Sequence, residues 1–247
     1  MIAEITHRQQ IFKVNLSKPI DISLPLKAGS GNPTAWYVPP VKMEAVKIGQ
    51  WIGEVKQGGS VNFFDIYFNP HGHGTHTECL GHISKAKESV NELINEFFFI
   101  AQLITVKPEE IDNDLVITKE AISTQLNSDT EALIIRTLPN TEAKCTKQYS
   151  NTNPPFLHHE AAILMKNKGV KHLLIDLPSV DKEQDEGKLI AHHCFWNFPE
   201  NPRFDCSITE LIYVPNTIRD GEYLLNLSFA PFDNDASPSR PTLYAIL

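Results

Sequence analysis

A glycine-rich segment, residues 69–82, holds the densest group of metal-binding side chains in the sequence. Imidazole and carboxylate groups are the usual ligands of borderline divalent metals such as zinc and manganese. The interspersed glycines allow the backbone to fold tightly around an ion. The segment therefore predicts a metal site. Its candidate residues are His71, His73, His76, Glu78 and His82.

The spacing within this segment assigns the first roles. His76 and Glu78 are two residues apart, so on an extended backbone their side chains share one face and can reach the same ion. His82 follows four residues later, close enough to act on a molecule that the metal holds. A histidine-rich turn can also bind metal adventitiously. The density of the cluster favours a functional site.

Two later positions are candidates for further ligands. His192 belongs to a histidine pair, His192-His193, and Glu210 lies in an apolar run. A carboxylate inside a buried strand needs a partner, which a metal would supply. The alternatives are an ordinary histidine pair and a glutamate that faces solvent on an edge strand. We expect side chains from the glycine-rich segment and from two late strands to converge on a cation.

Composition limits the class of protein. The chain has 247 residues, of which 41% are hydrophobic and 21% charged, and its formal net charge is −8. The length suits one domain, which we place at residues 1–247. A negative chain without a dense lysine and arginine stripe is a poor match for nucleic acid. No apolar run is long enough to span a bilayer, so we expect no membrane partner either.

Cysteine usage and the N-terminus predict the compartment. The four cysteines are scattered without a CxxC pair, which favours a reduced, cytoplasmic protein over a disulfide scaffold. Residues 1–14 mix polar and apolar side chains and contain no pattern of a signal peptide.

Hydrophobic patterns predict the elements that must position these residues. Ser89 with Glu92 forms a capping-box pattern, so a short helix should begin there. A second helix is expected over residues 158–168, ended by Gly169. The sum is a mixed α/β fold with more strand than helix. The predicted strands cover residues 20–26, 61–68, 98–106, 132–138, 170–177, 207–214 and 222–227.

The motifs at residues 72–82, 176–181, 191–193, 208–211 and 235–240, in their order along the chain, resemble those of the cyclase family of kynurenine formamidase-like metal-dependent hydrolases. The family signature is His-x-Gly-Thr-His-x-Asp-x-Pro-x-His, and residues 72–82 are similar to it. Four later stretches also resemble family motifs, so the resemblance spans most of the chain. They are Asp-Leu-Pro-Ser-Val-Asp at 176–181, Ala-His-His at 191–193, Ile-Thr-Glu-Leu at 208–211 and Asp-Ala-Ser-Pro-Ser-Arg at 235–240.

The resemblance implies a fold, a cofactor and a reaction. The fold would be the swivelling β/β/α type, assembled as a homodimer or homotetramer. One or two Zn²⁺ or Mn²⁺ ions would be bound. His76 and Glu78 would be ligands, His192 and Glu210 would hold a second ion, and His82 would be the catalytic acid/base. The reaction would be hydrolysis of the C–N bond of a small-molecule amide by metal-activated water.

The sequence departs from the family pattern in and beyond the first motif. Gly72 stands at the first ligand position, which leaves His71 or His73 to supply that imidazole. Glu78 is one methylene longer than the family's aspartate, and Leu80 replaces its proline.

A further departure is an apparent insertion at residues 197–203. Three aromatic residues, Trp196, Phe198 and Phe204, lie in or next to it. They either line an altered pocket or pack as core or lid side chains.

Two other functions compete with the metal-dependent hydrolase. A degenerate metal site at Gly72 could leave a non-catalytic protein that binds a small acid or amide. A hydrolase with a cysteine nucleophile, Cys79 or Cys194, is the third hypothesis, because both residues have histidines nearby in the sequence.

Overall fold

Seventeen strands and four α-helices form the protein in the computed structural model, which describes residues 1–247. Short 3₁₀ helices occur at Val55–Gln57, Leu80–His82 and Glu142–Thr146. The α-helices are α1 (Val90–Leu93), α2 (Lys119–Ser123), α3 (His159–Asn167) and α4 (Ile190–Trp196). The strands are β1 (Ile2–His7), β2 (Gln10–Asn15), β3 (Ile20–Asp21), β4 (Lys42–Ala45), β5 (Lys47–Ile48), β6 (Trp51–Ile52), β7 (Phe64–Tyr67), β8 (His76–Glu78), β9 (Phe98–Val106), β10 (Glu109–Ile111), β11 (Asp114–Ile117), β12 (Ala132–Thr137), β13 (Phe156–Leu157), β14 (His172–Ile175), β15 (Ser207–Glu210), β16 (Gly221–Phe229) and β17 (Ala236–Ala245).

Seven of these strands close into a barrel-like ring. Their order is β16-β9-β12-β14-β15-β8-β17, and β17 pairs back with β16, while β3 adds to the free part of β17. β9, β12, β14 and β15 are mutually parallel. Parallel neighbours need long crossover connections, and α2, α3 and α4 lie in these connections. The ring thus has a helix-covered side formed by its parallel strands.

The parallel strands are apolar on both faces because both faces are buried. Along β12, Leu133 and Ile135 join a cluster with the helices α3 and α4. The alternate residues Ala132 and Ile134 join a second cluster with β9, β14, β16 and β17. Because these strands form the wall of the ring, the second cluster of apolar side chains fills its interior.

Two parts of the chain lie outside the ring. β1 and β2 form an N-terminal hairpin, and β4, β5, β6 and β7 form an excursion between residues 42 and 67. Every residue of β7 is exposed. The longest helix, α3, has nine residues, and none of the helices has the length and apolarity needed to cross a bilayer.

Several predicted elements are confirmed. β9 occupies the predicted residues, and the predicted strands at 132–138 and 222–227 correspond to β12 and β16. The Ser89 side chain accepts a hydrogen bond from the backbone N–H of Asn91 at the start of α1. Gly169 follows α3 with φ of +82°, a conformation that favours glycine.

Other predictions need correction. The strand expected at residues 20–26 is limited to Ile20–Asp21, and the one at 61–68 shortens to β7, which pairs with β4 outside the ring. The sequence pattern missed β17, the longest strand, since prolines at 238 and 241 argue against a strand. His192 lies on α4, so the expectation of two late strands holds only for Glu210.

Candidate metal centre

Strand pairing brings three of the candidate residues together: His76, Glu78 and Glu210. β8 carries His76 and Glu78 and lies between β15 and β17 in the ring. Its register with β15 places Glu210 directly opposite His76. Within an antiparallel pair, opposite residues have their side chains on the same face. The ring therefore holds two carboxylates and one imidazole side by side in its wall.

Glu78 is the centre of the histidine cluster. Its Oε1 atom accepts a hydrogen bond from His192 Nε2 at 3.1 Å. Its Oε2 atom lies 3.0 Å from His71 Nδ1 and 4.0 Å from His82 Nε2. The glutamate is fully buried, so a charged carboxylate at this position requires several cationic or donor groups around it.

His76 and Glu210 form the deeper part of the cluster. His76 Nδ1 donates to the carbonyl of Gly74 at 3.1 Å, which turns Nε2 towards Glu210 Oε2 at 3.4 Å. The other oxygen of Glu210 accepts the backbone N–H of Val180 at 3.0 Å. Both side chains are buried, so Glu210 does not face solvent on an edge strand.

Two polar atoms in this cluster make no well-formed hydrogen bond although they are buried. They are His76 Nε2 and Glu78 Oε2, and each has an oppositely charged or polar neighbour within 3.4 Å that is poorly aligned with it. Buried polar atoms nearly always have a partner. Ligand atoms of His71, His76 and Glu78 lie within 4.8 Å of one another, as do those of Glu78, His82 and His192. The donor set fits a divalent cation such as zinc or manganese.

Charge is unevenly distributed over the cluster. Burial alone would lower the pKa of His192, but its bonds to Asp181 and Glu78 outweigh burial and raise the pKa to about 10. The pKa of His71 is likewise raised to about 10, against the effect of burial, by Asp235 and Glu78. Burial and the charge of Glu78 raise the pKa of Glu210. Without a metal, protons on the histidines balance the buried carboxylates.

Two aspartates to which the sequence analysis gave no role orient the histidines. Asp181 accepts the Nδ1–H of His192 at 2.6 Å and also the backbone N–H groups of Ala191 and His192. Asp235 lies 2.8 Å from His71 Nε2 and 3.3 Å from His82 Nδ1. Asp181 ends the motif at residues 176–181, and Asp235 begins the motif at residues 235–240. Carboxylates commonly support histidine ligands in this way.

The structure distinguishes His71 from His73. His71 contacts Glu78 and stacks on His82, with ring centroids 4.3 Å apart. His73 has both ring nitrogens occupied by backbone: Nδ1 accepts the N–H of Asn69, and Nε2 donates to the carbonyl of Pro39, both at 2.9 Å. Only His71 has a ring nitrogen directed at the cluster.

Gly72 itself leaves little room for a side chain. A Cβ atom at this position would lie 2.6 Å from Val38 Cγ2. The Val38 side chain therefore occupies the space that a side chain at this position would need, while the neighbouring His71 contacts Glu78.

A cleft of about 340 Å³ opens onto the cluster. His71, His82, His192 and Glu210 line its floor. The other lining residues come from the segments around it: Trp36, Val38, Asn69, Ser179, Lys182, Glu183, Asp185 and Leu189.

The aromatic residues near the 197–203 insertion do not line this cleft. Trp196 is fully buried in the helix-side core and donates its indole N–H to the Cys206 carbonyl. Phe198 packs against the same core, and Phe204 is exposed at the surface. Of the two alternatives for these residues, core packing holds for Trp196 and Phe198.

The cysteines have properties of inert thiols. Cys79 is buried, its thiol donates to the Glu88 carbonyl, and burial raises its pKa to about 12. Burial also raises the pKa of Cys194. A nucleophilic cysteine needs a lowered pKa, so the third hypothesis has no support in this geometry.

Comparison of the sequence with known proteins identifies relatives of this chain. A kynurenine formamidase of Bacillus cereus is 27% identical over 233 residues, which cover 93% of this chain and 99% of that protein. A kynurenine formamidase of Bacillus cytotoxicus is 29% identical over 187 residues, or 75% of this chain and 81% of that protein.

Solved structures share the fold. An isatin hydrolase bound to the product analogue thioisatinate aligns with a TM-score of 0.66 at 13% identity, covering 94% of each chain. A potential metal-dependent hydrolase with cyclase activity aligns with a TM-score of 0.64 at 18% identity, covering 92% of this chain and 98% of the other. The predicted strand-rich, cyclase-like α/β fold is confirmed. The profile of the putative cyclase family matches residues 16–182, and the chain belongs to this family.

Proposed function

We propose that this protein is a metal-dependent hydrolase that cleaves the C–N bond of a small aryl formamide or cyclic amide. One observation carries the proposal. Ligand atoms converge around Glu78 from His71 and His76 and from His82 and His192, yet the buried atoms His76 Nε2 and Glu78 Oε2 have no hydrogen bond. The named relatives support the same class of reaction. They include kynurenine formamidases and an isatin hydrolase, and isatin is a cyclic amide.

The ligands in this proposal are His71, His76, Glu78, His192 and Glu210. Glu78 lies between the two ends of the cluster and would be a ligand whether one ion or two were bound. When bound, a zinc or manganese ion would polarise the amide carbonyl and lower the pKa of water from near 16 towards about 7. Asp181 would keep His192 in the tautomer whose Nε2 atom is free to bind.

His82 is the proposed acid/base. Its side chain is 28% exposed and lines the cleft, so it can reach a bound amide. Its one hydrogen bond is from Nδ1 to Asp235, which holds the ring and leaves Nε2 available for proton transfer. As a base, His82 would take a proton from the attacking water, and as an acid it would return that proton to the departing amine nitrogen as the C–N bond breaks.

The experiment that tests the proposal joins metal analysis to a substrate screen. The protein purified without added metal is expected to contain close to stoichiometric zinc or manganese. It should hydrolyse N-formylkynurenine, formanilide or isatin, and a chelator should abolish the activity. Metal-free protein that binds such amides without cleaving them would instead support the non-catalytic binding protein.

We also propose that the chain forms a homodimer or homotetramer, as its family resemblance implies. The excursion between β4 and β7 supports this, because it exposes Ile48, Val55, Phe63, Phe64 and Ile66. Light scattering coupled to size-exclusion chromatography would measure the mass.

A reduced cytoplasmic setting stays a prediction, and it fits the four free thiols.

A further inference from the structure

A strained turn lies at the mouth of the cleft. Trp36 and Tyr37 have φ values of 59° and 57°, and the N–H of Val38 lies 3.5 Å from the carbonyl of Ala35. Positive φ at both central residues is the pattern of a type I′ turn, which favours asparagine and glycine. Bulky residues in this conformation are outliers that persist only where the surroundings enforce it.

Tyr37 is the residue through which the surroundings hold the turn. Its backbone N–H donates to Ser150 Oγ at 2.9 Å. Its hydroxyl has two acceptors within hydrogen-bond distance, Glu183 Oε1 at 3.1 Å and Asn151 Oδ1 at 3.2 Å. Glu183 also accepts the backbone N–H groups of Asn151 and Asn153, at 2.5 Å and 3.0 Å. One carboxylate, which itself lines the cleft, thus ties the turn to residues 151–153.

The turn places an indole ring in the cleft that opens onto the cluster of histidines and carboxylates. Trp36 lines the same cleft as His82 and His192, and it is only half-buried. The buried part packs against the small cluster of Ala35, Tyr149 and Leu211. The remaining part therefore faces the space in which a substrate would lie, and an indole face stacks well on a flat ring.

We propose that Trp36 is the specificity-determining residue that stacks on the ring of the amide substrate. In this proposal Tyr37, which Glu183 helps to hold, is a positioning residue that acts only through Trp36. The inference rests on the proposed amide hydrolysis, since it names how the same site selects its substrate. An unfavourable turn, held by a carboxylate, places this aromatic ring in the lining of the cleft that opens onto the cluster.

The first test compares two neutral formamides of similar size, formanilide and N-cyclohexylformamide. Trp36→Leu keeps apolar bulk but removes the aromatic face. It should raise the KM for formanilide about tenfold, as expected for loss of an aromatic stacking contact, and leave kcat nearly unchanged. The KM for N-cyclohexylformamide should hardly change. An equal rise in KM for both substrates would overturn the stacking role.

The second test asks whether Tyr37 acts through Trp36. Tyr37→Phe removes only the hydroxyl and should raise the KM for formanilide about fivefold, the effect of one lost hydrogen bond. In the Trp36→Leu background the same change should have no further effect. Tyr67→Phe is the matched control, because Tyr67 is exposed on β7 and lies outside the cleft. A penalty of equal size in both backgrounds would show that Tyr37 does not act through Trp36.

A third readout needs no activity. In a Trp51→Phe background the remaining tryptophans are half-buried Trp36 and fully buried Trp196, so acrylamide quenching reports mainly on Trp36. Tyr37→Phe or Glu183→Ala should increase quenching, and Tyr67→Phe should not. Unchanged quenching would overturn the tether. If the metal-loaded protein hydrolyses neither formamide nor any other amide, the proposed function and the specificity role fail, while quenching still decides the tether.

Discussion

The Nδ1 atom of His192 lies 2.6 Å from Asp181 Oδ2, and this contact directs Nε2 of the same ring at Glu78 Oε1, 3.1 Å away. Asp181 also accepts the backbone N–H groups of Ala191 and His192 in the first turn of α4, so one carboxylate both binds the start of the helix and orients its histidine. The position of His192 therefore depends on a residue eleven positions earlier in the chain.

We predict that Asp181→Asn weakens metal binding about 10- to 100-fold, as is typical when the supporting partner of a histidine ligand is changed. The carboxylate receives the N–H groups of Ala191 and His192 on different oxygens, and the amide oxygen can still accept one of them, so the helix should stay folded. Competition with a chromophoric chelator measures the affinity. Asp65→Asn, an exposed change on β7, serves as the control. An affinity equal to that of the unmodified protein would contradict the orienting role.

His76 and His82 should respond differently to substitution by alanine. His76→Ala removes a fully buried ligand atom and should lose metal and activity together. His82→Ala should keep the metal and lower kcat by about 10² to 10⁴, the usual contribution of general acid/base catalysis. Metal content by mass spectrometry, measured beside turnover, separates the two. Full metal content in His76→Ala would disprove the ligand assignment.

The metal-free protein should lose stability as the pH rises. The pKa values of His71 and His192 are raised to about 10, against an ordinary value near 6.5 in the unfolded chain. The stability that comes from these protonated histidines is complete below about pH 6.5 and is lost as the pH approaches 10. Glu78 contributes in the opposite sense because its pKa is lowered. The stability that its carboxylate provides is lost as the pH falls below the ordinary glutamate pKa near 4.5.

Melting temperatures of chelator-treated protein between pH 6.5 and 9 would measure this decline. Glu78→Gln removes the shared partner of the two histidines and should flatten it. Added zinc should reverse the trend, because metal competes with protons for the imidazoles and gains affinity as they deprotonate. A melting temperature of the metal-free protein that rises with pH would refute the protonated cluster.

Gly81→Ala should destabilise the protein without removing any ligand. An added Cβ would lie 2.0 Å from the carbonyl oxygen of Glu88 and 2.9 Å from two further backbone atoms of that residue. Backbone cannot yield as a side chain does, and we expect a loss of about 1–3 kcal/mol of unfolding free energy. Denaturant titration measures it. Gly31→Ala, where a Cβ meets nothing within 4 Å, is the matched control and should be neutral.

Local patterns in the sequence were sufficient for part of this protein. β9 is a long apolar run and α3 has an apolar face followed by glycine, so periodicity and capping identify both elements. The composition of the glycine-rich histidine segment alone indicated the candidate ligand types and most residues of the cluster. Patterns failed where tertiary pairing overrides local preference, as in β17, which pairs with both β16 and β8 although it contains two prolines.

Only the tertiary structure decided how the candidate residues meet. Glu78 and His192 are 114 positions apart, and they touch because the ring sets β8 beside β15 while the crossover after β14 carries α4 over this end. The choice of His71 over His73, the supporting roles of Asp181 and Asp235, and the place of Trp36 in the cleft follow from the same long-range contacts. Side-chain chemistry is a property of each residue, whereas distance between residues far apart in the chain exists only once the backbone has folded.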